Sequence, residues 1–119
     1  MDELQAAILR VRLRDLDAMN ARRRDIAARY DASLAGGALA PPHVAAGCEH
    51  VFHQYVVRCA DRDALRAQLA RRGIDTAIHY PVPVHLQPAY AGRVKLGPSG
   101  CAATEAAARE ILSLPMFPE

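Results

Sequence analysis

The 119-residue chain is long enough for one domain with a single hydrophobic core and too short for two domains of ordinary size. Its formal net charge of +2 is too small to hold a polyanion through clustered cations, so nucleic acid is not expected as a partner. Three cysteines without paired spacing, and no apolar signal segment or membrane-spanning stretch, predict a protein of the reducing cytoplasm with no membrane partner.

The first predicted element is a long amphipathic helix over residues 2–30, within a helical region that reaches residue 35. Apolar residues recur mostly three or four positions apart, with charged residues between them: Leu4, Ala7, Ile8, Val11, Leu16, Met19, Ile26 and Tyr30. The pair Gly36 and Gly37 ends the helix, and a loop of small residues and prolines follows.

The next segments predict a strand, a helix and a second strand. β-Branched and aromatic residues indicate strands over 50–59 and 74–80. The helix between them, over 62–72, has Asp61 or Asp63 as its cap and a glycine just past its end.

A last helix is predicted over 101–112, followed by a short strand at 112–115. Together with the preceding elements it predicts an α/β (α+β) two-layer small domain, in which a small sheet is covered by helices. The core is expected to consist mainly of aliphatic residues, because the chain has only four tyrosines, two phenylalanines and no tryptophan.

Candidate functional residues concentrate in GIDTAIHYPVPVHLQPAY, residues 73–90. His79 lies at the carboxyl end of the second predicted strand, where open α/β sheets place ligand-contacting groups. Prolines at 81, 83 and 88 hold the following backbone near extended conformations, so Tyr80 and His85 are presented on a stiff segment, the proline arm (residues 79–90). The same pattern fits a rigid connector with a structural histidine, and the residues alone leave both interpretations open.

Metal and nucleophile chemistry lack a supporting pattern. Cys48, His50, His53 and Cys59 are close together, but strand alternation places the two histidines on opposite faces, and the spacing matches no structural zinc site. The serines lie in no nucleophile elbow, and there is no glycine-rich phosphate loop. We therefore expect neither a metal site nor a nucleophile.

Four stretches, in order over nearly the whole chain, resemble the C-terminal part of the DegT/DnrJ/EryC1/StrS family of pyridoxal-phosphate (PLP)-dependent sugar aminotransferases. They are MDELQAAILRVRLRDLDAMNARRRDIAARY at 1–30, HVFHQYVVR at 50–58, RGIDTAIHYPVPVHLQPAY at 72–90 and ILSLPMFPE at 111–119. Members move an amino group from glutamate or glutamine to a nucleotide-linked keto sugar, in polysaccharide or antibiotic sugar biosynthesis, and work as homodimers.

The resemblance implies the C-terminal small domain of a fold-type I aminotransferase. It implies one domain over 1–119, truncated at both ends, with the long helix in 1–35 and the small-domain sheet and helices in 50–119. Partners would be a nucleotide-sugar substrate and either a second copy or the cofactor domain that this sequence lacks. Substrate contacts, through hydrogen bonds to sugar hydroxyls or phosphate, fall on four residues: His79, Tyr80, His85 and Gln87.

Lys95 is the chain's only lysine. A PLP enzyme needs a lysine amine held in a dry pocket against the cofactor, whereas Lys95 lies in the glycine-flanked segment AGRVKLGPSG and does not match the family's lysine. We therefore expect the full-length family to use PLP, and this chain alone to bind none and to hold no catalytic residue. The alternative is a non-catalytic binding or dimerisation module derived from the family.

Overall fold

The computed structural model describes residues 2–119. The described residues form four α-helices and two β-strands: α1 (Glu3–Arg12), α2 (Leu16–Leu34), β1 (Tyr55–Arg58), α3 (Arg62–Arg71), α4 (Ala102–Glu110) and β2 (Ile111–Leu114). Two 3-10 turns complete the regular structure, at Leu13–Asp15 and Val84–Leu86. Helices with a small sheet confirm the predicted α+β class. No helix among residues 2–119 has the length and apolar character needed to cross a bilayer.

The N-terminal helix is present, but the prediction of one continuous helix is wrong. The 3-10 turn Leu13–Asp15 separates α1 from α2. Residues 2–35 contain no glycine or proline, so the sequence carries no breaker signal at this point. None of the side chains of α1 is buried, so tertiary packing does not hold α1 in line with α2. Gly36, with a φ of 73°, follows the end of α2 as predicted.

Strands β1 and β2 pair antiparallel, with Tyr55 opposite Leu114 and Arg58 opposite Ile111. Single bridges extend the sheet at both edges, where residue 40 pairs with Arg58 and Ala77 pairs with Ser113. The predicted strand at 112–115 is therefore confirmed, within one residue, and lies between the other two paired segments.

The predicted strand over 74–80 is reduced to one bridge. Ala77 and Ser113 exchange two backbone hydrogen bonds, of 3.2 and 2.8 Å. Pairing cannot extend far in either direction, because Pro115 lacks an amide on one side and Pro81 lies just beyond the segment on the other.

Strand β1 begins later than the predicted 50–59. The Nδ1 atom of His50 accepts a 2.8 Å hydrogen bond from the Phe52 amide, and Phe52 has a left-handed φ of 48°. A local side-chain acceptor and a left-handed residue both interrupt strand pairing. Phe52 is nevertheless buried in the core.

Helix α3 confirms its prediction closely. Asp61 caps it, since its Oδ1 accepts the Ala64 amide at 3.3 Å, and Gly73 follows with a φ of 73°. Its Leu65 and Leu69 pack against the core. That core is a cluster of five buried residues: Ala27, Phe52, Tyr55, Val57 and Leu112. Ala108 of α4 is also buried.

Arginine side chains tie α3 and β1 to the corner between α4 and β2. Arg62 donates to the carbonyls of Ala108 and Ile111, at 3.4 and 3.3 Å. Arg58 donates twice to Glu110, at 2.9 and 2.6 Å. These contacts fix α4, which forms one side of the site described below.

The protein exposes more surface than a compact domain of its size. Its accessible surface is 9120 Å², whereas the surface–mass relation gives about 6,300 Å² for a compact monomer of this mass. The radius of gyration is 17.6 Å, against about 13.5 Å for a compact domain of this length. Part of this excess lies on α1, whose apolar side chains are exposed.

Candidate functional site

The proline arm begins at the edge of the sheet. The Nδ1 atom of His79 lies 2.9 Å from the hydroxyl oxygen of Ser113. Ser113 is buried in β2, where it pairs with Val56 on one side and Ala77 on the other. The following peptide bond, between His79 and Tyr80, is cis, and the two rings meet edge to face at 5.8 Å. The imidazole of His79 is therefore attached to a buried residue of β2.

The far end of the arm is attached to α4. His85 lies in the 3-10 turn, where its Nε2 is 3.0 Å from the Glu105 carboxylate, and its side chain is only 10% exposed. The turn is closed by the backbone N–H of Gln87, which donates to the backbone carbonyl of Val84 at 3.2 Å. The arm is thus held at two points, by Ser113 and by Glu105.

A groove of about 480 Å³, here called the arm groove, lies between the arm and α4. His79, Tyr80 and Gln87 line its arm side, and Thr104 and Ala107 belong to its helix side. Its volume falls within the range of small-molecule sites, roughly 300–1,000 Å³. The groove combines an apolar lining with imidazole, phenol, amide and hydroxyl groups.

The lining of the arm groove contains no Asp, Glu, Lys or Arg. A charged group entering it would lose water without meeting an opposite charge, which is costly. A neutral ligand with several hydroxyl or carbonyl oxygens would instead find donors and acceptors beside apolar contacts. The arrangement therefore suits a neutral ligand with several oxygen atoms better than an anionic one.

The structure brings together three of the four residues singled out from the sequence. His79, Tyr80 and Gln87 line one groove, while His85 is outside that lining and directs its Nε2 to Glu105. Ser113 and Glu105 were missed by sequence reasoning. They lie 34 and 20 positions from the histidines they contact, and no local spacing marks such long-range pairs.

Two tyrosines hold α2 against the sheet that carries the site. The Tyr55 hydroxyl donates to Asp31 at 2.5 Å, and the Tyr30 hydroxyl donates to the Pro115 carbonyl at 2.9 Å. Burial, followed by the hydrogen bond to Asp31, raises the pKa of Tyr55 far above its ordinary value. Burial also raises the pKa of Tyr30, against an opposing effect of Arg29. Both hydroxyls therefore stay protonated donors at neutral pH.

Lys95 does not provide a PLP site. Every residue from 91 to 100 is exposed, and Lys95 is absent from the lining of the arm groove. A lysine that forms a Schiff base with PLP needs a pocket that excludes water, so the exposed Lys95 does not fit that role.

Other reactive groups are separate from the groove. Within residues 2–119 there is no group of three or more His, Cys, Asp or Glu side chains placed to hold a metal ion. Cys48, Cys59 and Cys101 are free thiols.

His79 also lines a space of about 580 Å³ beside Ser113, and Tyr80 and Gln87 line another of about 520 Å³. The arm groove is the space in which His79, Tyr80 and Gln87 meet.

Curated relatives match almost the whole chain. A dTDP-3-amino-3,4,6-trideoxy-alpha-D-glucose transaminase of Streptomyces venezuelae is 49% identical over 120 residues, covering 99% of this chain and 31% of that protein. A UDP-N-acetyl-3-dehydro-alpha-D-glucosamine 3-aminotransferase of Acidithiobacillus ferrooxidans is 42% identical, covering 100% of this chain and 31% of that protein. The chain thus spans about a third of the length of these relatives.

Solved structures give the same result for the fold. The crystal structure of DesV from S. venezuelae has a TM-score of 0.90 at 48% identity and covers 100% of this chain and 32% of that one. An aminotransferase from Brucella abortus has a TM-score of 0.91 at 37% identity, and the match covers 99% of this chain and 31% of that one. The model of the DegT/DnrJ/EryC1/StrS aminotransferase family matches residues 1–119. The chain belongs to this family of PLP-dependent sugar aminotransferases.

Proposed function

We propose that this chain is the C-terminal portion of a PLP-dependent aminotransferase acting on nucleotide-linked keto sugars. In this proposal residues 1–119 form one C-terminal-type domain, which supplies substrate contacts and subunit or domain surface. The observation that carries it is the convergence of His79, Tyr80 and Gln87 on one ligand-sized groove. The names of the S. venezuelae and A. ferrooxidans relatives, which specify dTDP- and UDP-linked sugars, support the substrate class.

Each part of the groove has a role in this proposal. The imidazole, phenol and amide of His79, Tyr80 and Gln87 would hydrogen-bond the sugar, while Ala107 and Ile111 would cover its less polar face. His85 remains a predicted substrate contact through its second ring nitrogen, since its Nε2 already meets Glu105. The neutral lining favours a role in orienting the sugar ring rather than neutralising the phosphates.

The chemistry of amino transfer would come from outside this chain. PLP, when bound in an aminotransferase of this family, serves as the electron sink and carries the amino group. Lys95 is exposed and does not fit a Schiff base, so this chain contributes binding and orientation of the sugar. Mixing the chain with PLP and desalting is expected to leave no absorbance band that depends on Lys95. A stoichiometric band lost in Lys95→Ala would contradict this division of roles.

A second candidate is a non-catalytic binding or dimerisation module derived from the family. The observation that favours it is the exposed apolar surface of α1, which is suited to covering by another protein surface. In that case the chain would associate but would not bind a nucleotide sugar.

Ligand affinity separates the two candidates. Adding dTDP-glucose to the 119-residue chain, with binding followed by NMR, is expected to give a saturable Kd that rises about tenfold or more in His79→Ala, since one hydrogen bond to the ligand is lost. His43→Ala is the matched control, because His43 is exposed and does not line the arm groove. No binding by the folded wild type, or equal effects of the two variants, would contradict the substrate role.

A further inference from the structure

Ser113 is the only buried polar or charged residue among those the structure describes, with 6% of its surface exposed. Its backbone amide and carbonyl are both bonded to Ala77, at 2.8 and 3.2 Å. Its side-chain oxygen lies 2.9 Å from His79 Nδ1, which is its only side-chain hydrogen-bond partner within residues 2–119. The sheet thus fixes the position of the Ser113 hydroxyl, and its one side-chain hydrogen-bond partner is His79, the first residue of the arm.

The hydrogen of this hydroxyl decides which nitrogen of His79 carries a proton. A buried hydroxyl needs an acceptor for its hydrogen. If His79 carried its proton on Nδ1, Ser113 would accept a hydrogen bond from Nδ1–H, and its own O–H would have no acceptor among the side chains of residues 2–119. If the proton is on Nε2, Nδ1 is a free lone pair and accepts the O–H. The second arrangement satisfies both groups.

We propose that Ser113 is a positioning residue that favours the Nε2–H tautomer of His79 and so leaves Nε2 as a hydrogen-bond donor toward a ligand in the arm groove, one of the two spaces that His79 lines. A donor at this position selects a ligand with an acceptor oxygen, such as a carbonyl or hydroxyl of a sugar. The tautomer is inferred from the contact with Ser113, whereas its use on a sugar rests on the function proposed above. Ser113 itself touches no ligand in this proposal and acts through His79.

The tautomer can be measured directly in the 119-residue chain labelled with ¹⁵N-histidine. Long-range nitrogen–proton NMR spectra at neutral pH are expected to show Nδ1 of His79 unprotonated and Nε2 protonated. In Ser113→Ala the preference should weaken toward a mixture of the two tautomers. Ser99→Ala, in an exposed loop, should leave it unchanged. A wild-type His79 protonated on Nδ1 would overturn the proposal without any variant.

Folding of the variants is checked by amide exchange at Val57, which is fully buried in β1. If Ser113→Ala does not fold, Ser113→Thr keeps a hydroxyl at the same place and should retain the wild-type tautomer. A threonine variant that folds but shows mixed tautomers would count against the proposal.

The ligand step is tested with dTDP-glucose. Ser113→Ala is expected to raise its Kd by about three- to tenfold, less than His79→Ala, since the imidazole is retained but no longer held as a donor. If His79→Ala weakens binding while Ser113→Ala leaves the tautomer unchanged, this inference fails and the proposed function stands. If Ser113→Ala alters the tautomer while His79→Ala leaves binding unchanged, the tautomer stands and the proposed function fails.

Discussion

Helix α1 and strand β2 both carry large aliphatic side chains, and they bury them to opposite extents. Leu4 is 70% exposed in α1, whereas Leu112 in β2 is fully buried among the residues of the core. The sheet region contains paired backbone, tyrosine hydrogen bonds and arginine contacts, while none of the residues of α1 is buried. The difference indicates that the sheet region is stabilised by this chain's own contacts, and that α1 presents a surface suited to another partner.

The largest contrast is expected from the same substitution made in both regions. Leu112→Ala should lower the free energy of unfolding by about 2–5 kcal/mol, because it leaves a cavity in the core. Leu4→Ala should change it by less than about 0.5 kcal/mol, because Leu4 lies in solvent. Denaturant unfolding of the two variants provides the measurement. Similar losses of unfolding free energy in the two variants would show that α1 is packed in solution, and would contradict the difference between α1 and the sheet region.

Tyr55→Phe tests the hydrogen bond that joins α2 to the sheet. Removing the hydroxyl that donates to Asp31 is expected to cost about 1.5–3 kcal/mol, since the acceptor is a carboxylate. Urea unfolding at neutral pH measures the loss. The exposed Tyr90→Phe is the control, and equal stability of the two variants would contradict the role of Tyr55.

The same tyrosine predicts a dependence on alkaline pH. The folded pKa of Tyr55 is raised above the ordinary 10.0, so the folded chain keeps its proton when the unfolded chain loses it. The contribution of the protonated Tyr55 hydroxyl to stability is complete below the pKa of the unfolded chain. As the pH rises from the unfolded pKa toward the folded pKa, the free energy of unfolding falls. Tyr55→Phe should reduce this slope. A wild type whose stability is constant through that range would rule out the shifted pKa.

Association through α1 should give a smaller effect. Exposed apolar stripes favour contact between chains, so the wild type is expected to self-associate at micromolar concentration. Leu9→Gln, in the middle of α1, should raise the dissociation constant for self-association by about tenfold, which corresponds to about 1.4 kcal/mol. Val84→Gln, also exposed but in the arm, should leave it unchanged. If sedimentation shows that the wild type is a monomer at all micromolar concentrations, the reason for treating α1 as an interface is lost.

The smallest effects are expected at the helix caps. Asp61→Ala should lower global stability by about 1 kcal/mol, because α3 packs on the core through Leu65 and Leu69. Asp2→Ala removes the corresponding bond to the Leu4 amide of α1, but it should change only local helicity, since α1 is not buried. Thermal unfolding and amide exchange separate the two. A global loss from Asp2→Ala would show that folding of α1 is coupled to that of the core.

Local signals predicted the parts of the fold that depend on local contacts. Asp61 and Gly73 mark the ends of α3 by capping and by a left-handed residue, and both signals lie within the helix or next to it. The strand over 74–80 was overestimated, because its length depends on a partner strand that meets Pro115. Strand β1 started late for a related reason, the local bond between His50 and Phe52.

The candidate site shows the same limit. His79, Tyr80 and Gln87 were predicted from a resemblance carried by the arm itself, and they do line one groove. Ser113 and Glu105 could not be predicted, because each reaches the arm only after β2 and α4 have folded against it. Sequence reasoning thus identified the arm, whereas the groups that hold it required the tertiary structure.

One set of amide NMR spectra tests both proposed roles, the arm groove as the site of a nucleotide sugar and α1 as a surface for association. Dilution of the chain should shift the amides of 3–16, and dTDP-glucose should shift those of 79–87 and 104–111. Two separate groups of shifts are expected, and the second group should be lost in His79→Ala. Ligand shifts centred on α1, or none in the folded chain at millimolar dTDP-glucose, would contradict it.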